Sequence, residues 1–225
     1  MVDKLKKNKG EETRKRVFHA ALGLFRKHGF ENTSMRDIAK AAELTPGAAY
    51  HYFPSKESLV LSYYEWMQDE HEQKVKENLS DKRDVASRLE VLLLTKLKLL
   101  RKDRKLLAAL FASLGNPSHP LSFFGKKTGV LRNRSVAQFH EVFDDLGLPE
   151  DIKGLAGYSA WLAHLALFLF FVYDNSKQQE RSHILAASIA EGFGFVMPLL
   201  KTPMAKPVIT RALKLTEKLG LEVVL

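Results

Sequence analysis

Cysteine is absent from this 225-residue sequence. Its absence excludes disulfide bonds, cysteine nucleophiles and thiolate metal sites, and it fits a reducing compartment. Long apolar runs are also lacking. The longest, from Ala160 to Tyr173 with His164 inside it, is shorter than the roughly 20 residues that cross a bilayer. We interpret this run as a buried helix and expect no membrane partner.

Signatures of enzymes are missing as well. The eight histidines form no His-x-x-x-His or His-Glu-x-x-His pair, and the sequence has no Gly-x-Ser-x-Gly elbow and no phosphate-binding loop. We therefore predict no catalytic residue, no metal site and no cofactor. The N-terminal residues are charged and lack an apolar stretch, so we expect no signal peptide and a cytoplasmic protein.

Acidic residues are fewer than basic residues in this sequence. The net charge is +9, and residues 1–60 alone hold 12 Lys and Arg against 7 Asp and Glu. An acidic polymer such as nucleic acid fits this balance as a partner. Residues 1–10 carry four lysines and little apolar surface. We expect them to form a mobile basic arm that either contacts DNA or is a solvated tail.

Residues 33–57 have the pattern of two short helices joined by a tight turn and followed by a longer helix. Ser34, with Asp37 three residues later, has the spacing of a capping box. Thr45 is a suitable N-cap, Pro46 suits the first helical position, and Phe53 before a proline ends the helix. Because the second short helix begins with small residues that can lie against base edges, the segment is a candidate helix-turn-helix.

The remaining sequence is helical in pattern and shows almost none of the period-2 alternation of strands. A first helix is predicted from Glu11 to His28, with Gly29 as its stop, and a long helix follows Ser55. Further helices are predicted over 82–102, 104–114, 122–146, 150–174, 181–200 and 208–219. The fold class is therefore all-α, with an N-terminal three-helix helix-turn-helix domain over 11–60 and a larger helical domain over 61–225.

The N-terminal residues resemble the head of the tetracycline-repressor (TetR) family over about residues 11–60. The matching positions are the Arg14–Phe25 helix, Gly29-Phe30, Thr33-Ser34, Ile38-Ala39, Gly47, Tyr50-His51-Tyr52-Phe53, Lys56 and Leu59. Two positions depart from the family pattern. Glu43 stands in the turn where the family usually has glycine, and a positive φ there would cost it about 1 kcal/mol. Pro46 stands where the family more often has a polar or basic residue.

The resemblance implies a homodimeric, sequence-specific transcriptional regulator, usually a repressor, that a small and largely apolar ligand releases from a palindromic operator. It also implies that the larger domain binds the ligand and forms the dimer through the helices over 150–174 and 181–200. Burial of these two helices within one chain is the alternative. A two-fold dimer would place its reading helices in successive major grooves, about 34–36 Å apart.

Candidate DNA contacts lie in the helix-turn-helix and at the start of the next helix. They are Thr33, Ser34, Arg36, Thr45, Pro46, Gly47, Ala48, Tyr50, His51, Tyr52 and Lys56. Arg36 is a candidate for a bidentate contact with guanine, the alternative being a phosphate contact or an exposed helix arginine. Lys56 is predicted to contact phosphate at a helix N-terminus. Capping alone would explain Ser34, and His51 either contacts phosphate or has no role.

Candidate ligand contacts in the larger part of the chain are aromatic residues and one histidine. They are Trp66, Phe111, Phe124, Trp161, His164 and Phe168. An ordinary place in the hydrophobic core is the alternative for each aromatic residue, and a hydrogen bond within the core is the alternative for His164. Two other functions stay open: a helical protein that binds nucleic acid without sequence preference, and an enzyme that uses the helical cavity.

Overall fold

A computed structural model describes residues 2–79, 84–116 and 118–218 of the chain. Every regular element in these ranges is helical, which confirms the predicted all-α fold. The α-helices are α1 Val2–His28, α2 Met35–Ala41, α3 Pro46–Tyr52, α4 Lys56–Leu79, α5 Val85–Leu100, α6 Arg104–Gly115, α7 Gly129–His140, α8 Glu150–Tyr173, α9 Glu180–Leu200 and α10 Lys206–Lys218.

The chain divides into two compact units. Unit 1 holds the residues up to Met67 together with Lys102–Gly129, and unit 2 holds Gln68–Arg101 together with the residues from Val130 onward. Unit 1 contains α1 to α3, the start of α4, and α6. The predicted domain boundary at residue 60 lies within α4, whose residues are shared between the two units.

The first helix is longer than the sequence analysis predicted. It begins at Val2 instead of Glu11, so the expectation of a mobile basic arm over residues 1–10 was wrong for residues 2–10. Lysine is a good helix former, and one glycine inside a helix costs only about 1 kcal/mol relative to alanine. The helix ends where predicted, because Gly29 adopts a φ of 85° and its N–H donates to the Phe25 carbonyl.

The predicted helix over 122–146 was wrong in its first third. Turns occupy the residues before α7: the N–H of Ser122 donates to the His119 carbonyl at 3.0 Å, and the N–H of Gly125 donates to the Ser122 carbonyl at 3.1 Å. The Thr128 hydroxyl donates to the carbonyls of Ser122 and Gly125. These local bonds use backbone acceptors that an α-helix would need, so α7 begins only at Gly129.

Unit 1 is held together by an apolar core and one buried carboxylate. Helices α1, α2 and α3 pack on one another, and their core includes Phe25, Ile38 and Ala49. Asp103, whose side chain is 1% exposed, accepts hydrogen bonds from Arg26 of α1 and from the hydroxyl of Tyr63 of α4. Three separate segments of unit 1 therefore meet at a single charged group.

Unit 2 is built on α5, which packs against α8 and α9. One face of α5 is a buried stripe, formed by Val85, Leu89, Leu92, Leu93, Lys96, Leu97 and Leu100. Helix α9 approaches closely at Gly194, where an added Cβ would lie 2.9 Å from the Cβ of Ala86. The absence of a side chain at Gly194 therefore permits close packing of α9 on α5, whereas Ile184 and Phe195 of α9 are exposed.

Helix α8 is apolar on every side but is buried on only one of them. Its buried positions include Trp161, His164 and Phe168, whereas a second set of apolar residues is exposed: Leu162, Leu169, Phe170 and Tyr173. By length and composition alone, α8 and the stretch Lys177–Leu200 would suffice to cross a membrane, a test that core helices of soluble proteins also pass.

Candidate nucleic-acid interface

The caps predicted for α2 and α3 are present. The Ser34 hydroxyl accepts from the N–H of Asp37 at 3.2 Å, and the Asp37 carboxylate accepts from the N–H of Ser34 at 2.9 Å, which completes the capping box. The Ser34 hydroxyl also donates to the Asp37 carboxylate at 2.6 Å, and this bond first and the one from the Ser34 N–H second lower the pKa of Asp37 below its ordinary value. Thr45 caps α3 by accepting from the N–H of Ala48 at 3.3 Å.

The turn between α2 and α3 has the strained backbone that was anticipated. Glu43 has a φ of 56°, which lies in the left-handed region that favours glycine. The N–H of Leu44 donates to the Ala39 carbonyl at 2.9 Å, and the N–H of Glu43 donates to the Lys40 carbonyl at 3.1 Å. These bonds close the turn and set the direction in which α3 leaves α2.

Helix α3 presents its predicted contact residues on its outer face. Ala49 is fully buried against the rest of the head, while Pro46, Gly47, Tyr50 and His51 are exposed. A Cβ added at Gly47 would meet no atom within 4 Å, so nothing within the described residues requires glycine there. Ala48 and Tyr52 are half-buried, and the Tyr52 ring contacts the His51 ring edge-on at 5.3 Å.

Arg36 is a cation of the helix-turn-helix that the fold leaves available. It is exposed on α2, and within the described residues its guanidinium takes part in no hydrogen bond or ion pair. Its planar donor pair could therefore reach a base edge or a phosphate without breaking an internal contact.

Two of the predicted DNA contacts have roles inside the head. The Thr33 side chain is buried, and its hydroxyl donates to the Gly29 carbonyl at 2.8 Å, so a contact with DNA would require this bond to open. The Lys56 ammonium donates to the Phe30 carbonyl at 2.7 Å and lies 4.3 Å from the centre of the Phe30 ring. Lys56 therefore ties the start of α4 to the loop after α1, a contact the sequence analysis missed.

The predicted ligand contacts are divided between the two units. Trp66, Phe111 and Phe124 belong to unit 1 and Trp161, His164 and Phe168 to unit 2. Phe124 is exposed, and Trp66 packs edge-on against Phe18 with ring centres 6.2 Å apart. The three residues of α8 are all buried and share one face, since they are spaced by three and four positions.

The sequence analysis overlooked a buried polar cluster in unit 2 that includes Gln68, His71, Lys96 and Gln138. The helical spacing of two of these residues nevertheless indicates that they are buried. Lys96 falls on the apolar stripe of α5, and His71 follows Tyr63 and Met67 at intervals of four on α4, so the helical period places both inside.

Comparison with known proteins agrees with this geometry. The sequence model of the family described as "Bacterial regulatory proteins, tetR family" matches residues 17–63. Over 60 residues the chain is 43% identical to the transcriptional repressor KstR of Rhodococcus jostii, and over 59 residues it is 42% identical to the uncharacterised transcriptional regulator YuxN of Bacillus subtilis. These matches cover 27% and 26% of this chain but only 28% and 20% of the two relatives.

Solved structures share the fold of about four fifths of the chain. FadR of Thermus thermophilus, a TetR-family repressor solved with lauroyl-CoA, has a TM-score of 0.60 at 23% identity and covers 79% of this chain and 93% of its own. A TetR regulator of Nitrosomonas europaea has a TM-score of 0.61 at 15% identity, covering 81% and 98%. The segment that matches the TetR-family model contains α2 and α3, and these solved structures show that the chain shares the fold of TetR-family regulators.

Proposed function

We propose that this protein is a sequence-specific, DNA-binding transcriptional regulator that acts as a homodimeric repressor on a palindromic operator and is released by a small, largely apolar ligand. The observation that carries the proposal is the outer face of α3, where Pro46, Gly47 and Tyr50 are exposed on a helix whose opposite side is anchored by Ala49. Small uncharged residues allow close approach to base edges.

Gly47 supplies the sharpest test of that face. Because its Cβ position is open, Gly47→Ala should leave the fold intact and favour the helix by up to about 1 kcal/mol. If α3 lies in the major groove, the added methyl group would overpack the interface and weaken binding by about five- to a hundredfold. Fluorescence anisotropy on a duplex selected from a random pool would measure the loss.

Gly23→Ala is the matched control, since Gly23 is an exposed helical glycine of α1 with equally open surroundings. It should stabilise the protein similarly and leave DNA affinity unchanged. Equal DNA affinities for the two variants would contradict the proposal that α3 reads DNA.

Arg36 and Lys56 are proposed to contribute differently. Arg36→Ala should relax specificity at one base pair per half-site, whereas Arg211→Ala, at an exposed arginine of α10, should not.

Lys56→Ala should weaken binding to all sequences. A phosphate contact would also reduce the salt slope of binding by about one, while an unchanged slope would assign Lys56 to its bond with Phe30 alone.

The homodimer is proposed on the exposed apolar residues of α8 and α9. Phe195 is 72% exposed and Ile184 is 59% exposed, and large exposed apolar patches mark interaction surfaces. Phe195→Glu should shift the protein to a monomer in sedimentation velocity, while Met204→Glu, at an exposed methionine outside both helices, should not. A dimer unaffected by Phe195→Glu would contradict this interface.

The relatives are regulators and not enzymes, and we extend this to the present chain, along with the cytoplasmic location typical of such proteins.

A small apolar ligand is proposed because the buried face of α8 is aromatic, and because FadR of Thermus thermophilus was solved with lauroyl-CoA. A ligand that releases DNA must itself bind more weakly to the DNA-bound protein. Binding that is unaffected by operator DNA would contradict release by that ligand.

A further inference from the structure

Lys96 is a buried cation without a counter-ion. It lies on the leucine-rich face of α5, its residue is 7% exposed, and its ammonium donates to Oε1 of Gln68 at 3.3 Å. No carboxylate lies within ion-pair distance of it in the part of the chain that the structure describes. A buried ammonium in this state is unfavourable, because one neutral amide does not replace the water or the carboxylate that it lacks.

The acid that attracts Lys96 is paired with another residue. Glu72 exerts an attraction on Lys96, but its carboxylate accepts from Nε of Arg134 at 3.1 Å and from a terminal nitrogen of Arg134 at 2.7 Å. Arg134 also pairs with Asp69. Because Glu72 is paired with Arg134, it does not balance the charge of Lys96.

The other polar residues of the cluster are bonded to one another. Nε2 of Gln68 donates to Oε1 of Gln138 at 3.1 Å. The two ring nitrogens of His71 lie 3.0 Å from Oε1 of Gln138 and 2.9 Å from the Leu92 carbonyl oxygen. Gln68, His71 and Gln138 thus contact one another, whereas Lys96 has no carboxylate partner among the described residues.

His164 faces the same region from α8. It is 7% exposed, and its buried Nδ1 has no hydrogen-bond partner. Burial, with repulsion from Lys96 and His71, lowers the pKa of His164, and burial lowers the pKa of Lys96 to about 7. Helix α8 packs against α5, which carries Lys96, and the Phe139 ring that contacts His164 directly follows Gln138 of the polar cluster, so His164 lies beside this cluster.

The surroundings of His164 are aromatic. The Phe139 ring lies 5.2 Å from the imidazole, centre to centre, and Trp161 and Phe168 are buried on the same face of α8. A cation and an unpartnered imidazole beside three aromatic side chains suit a ligand with one anionic end and an apolar remainder.

We propose that Lys96 and His164 bind the carboxylate of an amphipathic ligand whose apolar part packs against Trp161, Phe168 and Phe139. Lys96 supplies the charge and His164 a neutral N–H donor. The proposal deepens the proposed function and rests on it, since this carboxylate would belong to the ligand that releases DNA. The expected ligand is therefore no longer simply a largely apolar molecule but a monoanion with a carboxylate end and an apolar remainder.

The test compares octanoate and decanoate with decan-1-ol, using isothermal titration calorimetry on the full chain. The charged hydrogen bond should make decanoate bind at least about tenfold more tightly than decan-1-ol. Lys96→Met keeps the length of the side chain and removes its charge, so it should abolish this difference while leaving the affinity for decan-1-ol unchanged. Lys98→Met, at an exposed lysine of the same helix, should behave as the unchanged protein.

Proton uptake provides a readout that a purely structural lysine would not affect. At pH 8 the carboxylate should draw Lys96 into its protonated form, so the heat of decanoate binding should vary with the ionisation enthalpy of the buffer. Lys96→Met should remove this variation, and Lys98→Met should retain it. His164→Phe should reduce decanoate affinity without affecting decan-1-ol.

The proposal fails if neither carboxylate binds saturably, or if Lys96→Met and Lys98→Met bind decanoate equally well. Binding of the unchanged protein and of Lys96→Met to the selected duplex separates this failure from that of the proposed function. Normal DNA binding with no carboxylate binding overturns the anionic ligand alone. Carboxylate binding that depends on Lys96, without preference for any duplex, would preserve the site and overturn the regulator.

Discussion

Removal of the Asp103 carboxylate should strongly destabilise unit 1. This carboxylate is 1% exposed and accepts from Nε of Arg26 at 2.5 Å, from a terminal nitrogen of Arg26 at 3.0 Å, and from the Tyr63 hydroxyl at 2.9 Å. These bonds join α1 and α4 to the residue that precedes α6.

The magnitude follows from what Asp103→Asn leaves behind. Breaking a buried ion pair by removing one partner typically costs about 3–5 kcal/mol. The Arg26 side chain is 39% exposed, so water can solvate part of its charge, and we expect roughly 2–3 kcal/mol. Asp103→Leu should cost more, because it also leaves the buried Tyr63 hydroxyl without an acceptor. Tyr63→Phe, which removes one hydrogen bond, should cost about 1 kcal/mol.

Urea denaturation followed by circular dichroism measures these changes in the free energy of unfolding. Asp69→Asn is the comparison, because Asp69 pairs with Arg134 on the surface, with 64% of its side chain exposed. Such pairs contribute no more than about 1 kcal/mol. If Asp103→Asn destabilised the protein no more than Asp69→Asn, the reasoning that burial gives the Asp103 pair its weight would be refuted.

Four further changes test other parts of the structure. Glu43→Gly should stabilise the protein by roughly 0.5 kcal/mol in urea denaturation, since relief of about 1–2 kcal/mol of left-handed strain exceeds the 0.5–1 kcal/mol entropic cost of glycine; a destabilised variant would contradict the strained turn. Thr45→Ala should cost about 1 kcal/mol and Thr45→Ser should restore most of it, whereas equal stabilities would show that the cap is unimportant. Lys96→Met should stabilise the protein by at most roughly 4 kcal/mol at pH 6. This gain should shrink as the pH rises from about 7 towards 10.5, because the lysine is then neutral in the folded state; a gain independent of pH would contradict its cause. Asp174 accepts from the N–H and hydroxyl of Ser182 at 2.9 and 2.7 Å, and although burial opposes ionisation, these bonds hold its pKa well below the ordinary value. Its stabilising contribution should therefore be complete above about pH 4 and be lost as the pH falls below that, and Asp174→Asn should remove this part of the acid sensitivity measured by thermal denaturation.

Local chemistry explains what the sequence predicted well. The caps at Ser34 and Thr45, the stop at Gly29 and the positive φ at Glu43 each depend on a few neighbouring residues, and all four are present. The all-α fold was predictable for the same reason, because helical periodicity is a local property.

Long-range contacts and the uniform composition of some helices explain which features were predicted poorly from the sequence. The bond of Lys56 to the Phe30 carbonyl joins residues 26 positions apart, and no local pattern indicates it. Helix α8 is apolar on all sides, so its periodicity could not separate the buried face of Trp161 from the exposed face of Phe170. Lys96 lies on the periodic buried face of α5, but lysine is almost never fully buried, so its residue type indicates exposure where its spacing indicates burial.

Selection of bound duplexes from a random DNA pool tests the central claim most directly. If the outer face of α3 reads DNA from two subunits, the recovered fragments should share one two-fold symmetric site with half-sites separated by about one helical turn, bound roughly a thousandfold or more tightly than unrelated duplex at the same salt concentration. Recovery of fragments without a common or symmetric sequence, bound no more tightly than the starting pool, would contradict it.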